Sequence, residues 1–153
     1  MPGEQRLSVF DVDPKATEAV LGLERYVENC GLDRQLYELV KIRASQINGC
    51  AFCMDMHNRE ARSGGEEQRR LDVVSAWREA ADLFTDQERA ALALTEAVTL
   101  VADGGVSDAI WSDATTCFDD GQVVGLLMAI ATINVWNRLA VTTHQQIPGL
   151  RQA

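Results

Sequence analysis

Apolar side chains recur in this chain at helical spacing between marked start and stop signals, and nowhere do they alternate as a half-buried strand requires. That punctuation restricts the fold more than any other feature. Asp13-Pro14 places an N-cap ahead of a proline at the first helical position, predicting a helix to Asn29 or Cys30 that Gly31 stops. Asp33 starts a second, with Leu36, Val40 and Ile47 on one stripe, Leu39 beside them and Asn48-Gly49 at its end. A third should run from near Cys50 to Ser63, where Gly64-Gly65 is the strongest stop in the chain. Glu66 to about Asp82 reads as one or two shorter helices carrying Leu71, Val74 and Trp77 on an apolar side. Thr85-Asp86-Gln87-Glu88 matches a capping box and opens a helix through Val101, before Gly104-Gly105. Ser107 and Asp108 cap a helix to about Phe118, and Asp119-Asp120 opens the last long one, from Gln122 past Trp136. Six to eight helices with short connections predict an all-α domain, a compact helical bundle.

At 153 residues one domain is expected, over residues 13–153, with residues 1–12 as a loose or partner-covered arm. Val123 to Ile133 is apolar nearly all round, which predicts a place both at the centre of the domain and against another subunit. This run is well short of the roughly 20 residues that span a bilayer. The first six residues lack the basic start and apolar run of a secretory signal, so the reading is cytoplasmic, without a membrane partner. The 14 basic and 23 acidic side chains leave a net charge of -9, and the basic ones are scattered. A phosphate backbone would be repelled, which argues against a nucleic-acid partner.

The chemistry concentrates in Gly49-Cys50-Ala51-Phe52-Cys53-Met54-Asp55-Met56-His57. At about 100° per residue, Cys50, Cys53 and His57 stack on one face of a helix. A cysteine reacts as its thiolate, and a second thiol three residues away can close a disulfide. In a reducing compartment such a pair reads as redox-active or metal-binding rather than as a permanent staple. Redox chemistry is the reading the spacing supports first. The alternatives are inert packing and a zinc site using Cys50, Cys53, His57 and a fourth ligand such as Glu38 or His144; Cys30 and Cys117 are too far apart to complete a four-thiolate module.

Helix geometry nominates Cys50 as the more acidic thiol, because the first turn offers free amides and the positive end of the macrodipole. Cys53 has the nearer proton acceptor in His57, one turn on, so spacing leaves both open as the attacking sulfur. Glu38 lies about 160° from its helix's apolar stripe, the position of a solvated glutamate. The Asn48-Gly49 turn nevertheless folds its helix back along the cysteine helix, so the carboxylate could reach His57 and raise its basicity. Cys30 and Cys117 read as packing residues, His144 is assigned no role, and Trp77, Trp111 and Trp136 fit core or interface positions.

The stretch from Glu38 to His57 resembles the core of the alkylhydroperoxidase D-like branch of the carboxymuconolactone decarboxylase family. The shared pattern is a glutamate, eleven intervening residues, C-x-x-C, three residues and a histidine, with a Ser45-Gln46-Ile47-Asn48-Gly49 lead-in. Ala131 to Leu139 is similar to that branch's C-terminal helix, so the resemblance covers most of the chain from about residue 13. It implies an all-α bundle assembled as a homotrimer or homohexamer, with the active site near subunit contacts. It also implies a thiol-dependent peroxidase of organic hydroperoxides or hydrogen peroxide. Cys53 would attack the peroxide and Cys50 resolve it, overriding the helix-dipole choice, while Glu38 and His57 relay protons through water. No cofactor is implied, and an external dithiol or disulfide reductant would restore the thiols. One position departs: the best-studied peroxidases of the branch carry histidine where this chain has Phe52, so one relay element is absent. The decarboxylase branch generally lacks the C-x-x-C pair, which counts against a decarboxylase-like lyase. That lyase and a non-catalytic or zinc-binding module of the same fold stand as the alternatives.

Overall fold

Side chains start most of the helices of this protein, whose computed structural model describes residues 3–149. Met1 and Pro2 of the expected arm, and residues 150–153, lie outside the described residues. Ser8 caps α1 (Val9–Val12), Asp13 caps α2 (Pro14–Glu28) and Asp33 caps α3 (Arg34–Asn48). Cys50 is itself the N-cap of α4 (Ala51–Ser63). After α5 (Gln68–Asp72), reciprocal capping boxes start α6 (Asp86–Thr99) at Thr85 and α8 (Asp120–Thr143) at Asp119, with α7 (Asp108–Cys117) capped by Ser107 between them. No strand occurs among the described residues, and the fold is all-α as the punctuation requires.

Two stretches differ from the sequence reading. Residues 66–83 hold one five-residue helix and two 3₁₀ turns, Val74–Ala76 and Ala81–Leu83, rather than longer helices. Tertiary contacts override propensity there: Trp77 and Phe84 are drawn into the core, and Arg70 donates to the Leu83 carbonyl while pairing with Glu66 and Glu88. α8 begins at Asp120, because Gln122 is the third residue of its capping box rather than the first of the helix.

α3 is the axis of the packing, lying against α4, α6 and α8. It contributes to three apolar clusters at once. Tyr37 and Val40 pack with Leu94, Leu126 and Ile130; Leu39 and Ile42 with Trp77 and Leu92; and Ala44 with Cys50, Cys53, Ile133 and Ala140. A helix covered on so many sides buries its polar residues too, and Glu38, Lys41 and Ser45 are all buried. α8 is 24 residues long with a mean hydropathy of 1.5 over its most apolar window, enough by length and composition to cross a bilayer, yet half of that window is buried inside the domain. Val124 and Val141 remain exposed along it, while Trp77 is buried and Trp111 is 46% exposed on α7.

The turn that folds α4 back on α3 depends on Gly49, which sits at φ 65° and donates its N–H to the Ser45 and Gln46 carbonyls. A Cβ there would meet nothing within 4 Å, so substitution tests backbone strain alone. Gly49→Ala should cost about 1 kcal/mol, read as a lower urea midpoint with unchanged helical circular dichroism.

Candidate active site

The Gly49 turn sets Cys50 in extended backbone at the head of α4, where its sulfur accepts the Cys53 N–H at 3.3 Å. Both thiols are free and only 1% exposed. They pack against Ile133 and Ala140 of α8, with Phe52 and Trp136 at the edge of the cluster. The hydrogen bond from the Cys53 thiol holds Cys50 down to about 7; burial opposes this, and the Cys53 N–H, the Asn137 side chain and the charge of His57 reinforce it. The same contact and burial push Cys53 well above the ordinary thiol range, although Asn137 lowers it as well. The pair therefore shares one negative charge, which rests on Cys50 as the helix start suggests. A cleft of about 240 Å³ opens at this sulfur, lined by Cys50, Phe52, Ala140, Val141 and His144.

Glu38 is not a solvated glutamate: it is 3% exposed, and its Oε2 lies 3.1 Å from His57 Nδ1 across the α3–α4 contact. The helical pattern misplaces it because His57, and the Glu24 that anchors its neighbour Lys41, come from other helices. Lys41 Nζ stands 3.4 Å from Glu38 and 3.1 Å from Glu24 of α2, over the ring of Tyr37. Glu24 also accepts the Tyr37 hydroxyl and the Trp136 indole N–H. A second carboxylate, Glu60, reaches His57 Nδ1 at 3.2 Å. Burial opposes charging of His57, but the hydrogen bonds to Glu38 and Glu60 outweigh it and hold the imidazole above its ordinary value. Glu60 is held low in turn, chiefly by its hydrogen bond with His57 against the opposing effect of burial.

Glu38 and His57 thus meet as the folded-back turn suggests, and Cys50 meets Cys53. Among the described residues, no direct hydrogen bond joins His57 to either sulfur; their link is the charge of the imidazole acting on Cys50. The two carboxylates occupy Nδ1 and leave Nε2 as the other edge of the ring. Sequence reasoning missed Glu60 and Lys41, whose i,i+3 spacing from His57 and Glu38 was a usable signal. It also missed Glu24 and Asn137, which arrive from distant helices without one.

The zinc alternative is not assembled as drawn. Among the described residues, the ligand atoms that converge within 4.8 Å are those of Glu38, His57 and Glu60, without either thiol. Those three side chains could hold a cation, but the Lys41 ammonium already faces Glu38. His144 ends α8 in a left-handed conformation and lines the cleft rather than joining His57. Cys30 and Cys117 are packing residues, half-buried against the α3–α8 cluster.

Comparison with known proteins places this geometry in context. The sequence profile of the carboxymuconolactone decarboxylase family matches residues 14–97. The uncharacterized protein YdfG of Bacillus subtilis (strain 168) is 38% identical over 137 residues, 90% of this chain and 92% of its own length. A crystal structure from Agrobacterium tumefaciens, of a protein of unknown function provisionally described as the antioxidant defence protein AhpD, superimposes with a TM-score of 0.92 at 41% identity. It covers 95% of this chain and 99% of that one. The debrominase Bmp8 with 2,3,4-tribromopyrrole shares the fold at a TM-score of 0.81 and 17% identity, over 92% of this chain and 74% of its own.

Removing the Glu38 charge should leave burial of His57 less opposed. In Glu38→Gln the His57 titration, followed by NMR, should move down by about one to two pH units, the worth of one charge-assisted hydrogen bond. Because the folded His57 titrates above its unfolded value, its contribution to stability is complete below about pH 6.5 and fades as pH rises through the folded value. That arm of the stability profile should flatten in the variant.

Proposed function

The chain belongs to the carboxymuconolactone decarboxylase family, and on that premise we propose that it is a thiol-dependent peroxidase working through Cys50 and Cys53. The observation that carries this reading is the contact of two buried thiols at the head of α4, beside an imidazole kept basic by its hydrogen bond to Glu38. Cys53 is the attacker and the Cys50 thiolate its immediate base. As Cys53 attacks the distal peroxide oxygen, its proton passes to Cys50, the O–O bond breaks, and the departing alkoxide takes a proton from the His57 side to leave as alcohol or water. Cys50 then attacks the Cys53 sulfenic acid, and its proton passes through the relay to the departing hydroxide, which leaves as water as the disulfide closes. Resolution is fast because the two sulfurs are already in contact. An external dithiol supplies two electrons and two protons to restore the pair.

Phe52 supports an organic hydroperoxide as substrate. It lines both the cleft at Cys50 and a neighbouring cavity of about 330 Å³ walled by Leu7, Phe10, Trp136 and Leu139, a setting for a hydrocarbon body. The domain is residues 13–153, with residues 1–12 as an arm whose Leu7 and Phe10 complete that cavity, in a cytoplasmic homotrimer or homohexamer. Exposed Val124 and Val141 on α8 are surface that such an assembly would cover. The same fold carries debrominase chemistry in Bmp8, so the fold alone does not select the reaction.

One equivalent of cumene hydroperoxide should remove two thiols per chain from the reduced protein and none from Cys53→Ser, while Cys50→Ser should accumulate a trappable sulfenic acid. A parent that consumes no peroxide ends the peroxidase reading, and loss of consumption in Cys50→Ser alone makes Cys50 the attacker. Stoichiometric zinc in protein purified without added metal would replace the redox reading with a structural one.

A further inference from the structure

We propose that Asn137 is a catalytic residue whose side-chain amide donates a hydrogen bond to whichever sulfur of the Cys50–Cys53 pair bears the negative charge. The inference rests on the reading of these cysteines as reactive thiols. On α8, Asn137 lies one turn after Ile133 and one turn before Ala140, and both of those residues pack directly on the two cysteines. The asparagine between them is fully buried.

Its orientation is fixed from α3. The carbonyl Oδ1 accepts from Asn48 Nδ2 at 2.9 Å, and Nδ2 donates to Ser45 Oγ at 3.0 Å. The Ser45 hydroxyl proton is committed to the Lys41 carbonyl at 2.7 Å, so Ser45 can only accept from Asn137. One amide proton is thereby used. The other belongs to a buried group that needs an acceptor, and this face of α8 packs in the cluster that holds the two sulfurs. In agreement, the Asn137 side chain lowers both thiols through hydrogen bonding.

A neutral donor suits a charge that moves. During attack the proton of Cys53 passes to Cys50 and the negative charge passes from Cys50 to Cys53, and an amide facing both can follow it without titrating. Every ionisable group around the pair stands elsewhere: His57 with Glu60 on α4, Glu38 and Lys41 on α3, and His144 at the end of α8.

The test is the pH dependence of iodoacetamide alkylation at Cys50, followed by peptide mass spectrometry on the reduced full-length protein. Asn137→Ala should slow alkylation at neutral pH by about tenfold or more and raise its midpoint, as loss of a hydrogen bond to a charged group requires. Asn137→Asp keeps the shape but sets a carboxylate beside the thiolate, and should raise the midpoint further. Asn134→Ala cuts the same amide cluster, through Asn48 and Thr99, without facing the sulfurs. It should lower the Tm and leave the midpoint in place. An unmoved midpoint in Asn137→Ala, or an equal shift in Asn134→Ala, overturns the proposal. Should Asn137→Ala not fold, the parent decides: its Asn137 side-chain amide resonances should titrate with the Cys50 midpoint, and invariance would refute the contact. Alkylation needs no peroxide turnover, so failure of the peroxidase reading and failure of this one are separable.

Discussion

The hydrogen bond between Glu38 and His57 ties the cysteine helix to the centre of the domain, and much of the surrounding structure exists to keep it. A carboxylate taken out of water is costly unless charged or hydrogen-bonding partners surround it. Glu38 finds them in His57 on α4 and Lys41 one turn along its own helix. Lys41 is anchored by Glu24 on α2, and Glu24 is held by Tyr37 on α3 and Trp136 on α8. Four helices thus meet in one ionic network, and loss of Lys41 would leave Glu24 and Glu38 without the cation they share. A solvated ion pair would contribute little to stability, whereas this one constrains how the helices can sit.

Two unlike sets of groups act on the thiols. One titrates, Glu38, His57, Glu60 and Lys41; the other does not, Asn137, Asn48 and Ser45, tied together by hydrogen bonds. The titrating set governs how readily a proton leaves, and the amide set offers the neutral donor proposed for the charge left behind. The position of Cys50 as helix N-cap adds a backbone donor to the same sulfur, so three different physical devices act on one atom.

What could be read beforehand divides along the same line. Helix starts were legible because their determinants are local: Asp13, Asp33, Thr85, Ser107 and Asp119 all cap as their sequence neighbours suggest. So was the register of Cys53 with His57, and the Gly49 turn that returns α4 along α3. The stretch from 66 to 83 was not, since its backbone follows Arg70, Trp77 and Phe84 into tertiary contacts. Nor was the burial of Glu38. A periodicity argument sends every charge outward, and only the arrival of Glu24 and Lys41 around it shows why this one stays in. Asn137 carried no signal at all, because a polar residue on an apolar helix acquires meaning only from what it faces.

The N-terminal segment has a practical bearing on how the protein is handled. Arg6 donates its backbone N–H to the Thr143 carbonyl at 2.8 Å and its guanidinium to that of Thr142, and Gly3 lies so close to His144 that a Cβ would stand 2.6 Å from the ring. His144 in turn borders the cleft at Cys50. A purification handle or fusion joined to the amino end is therefore delivered to the doorstep of the sulfurs. A polyhistidine leader there would bring foreign imidazoles and column nickel to that doorstep, and cleavage of the leader belongs before any assay of thiol reactivity.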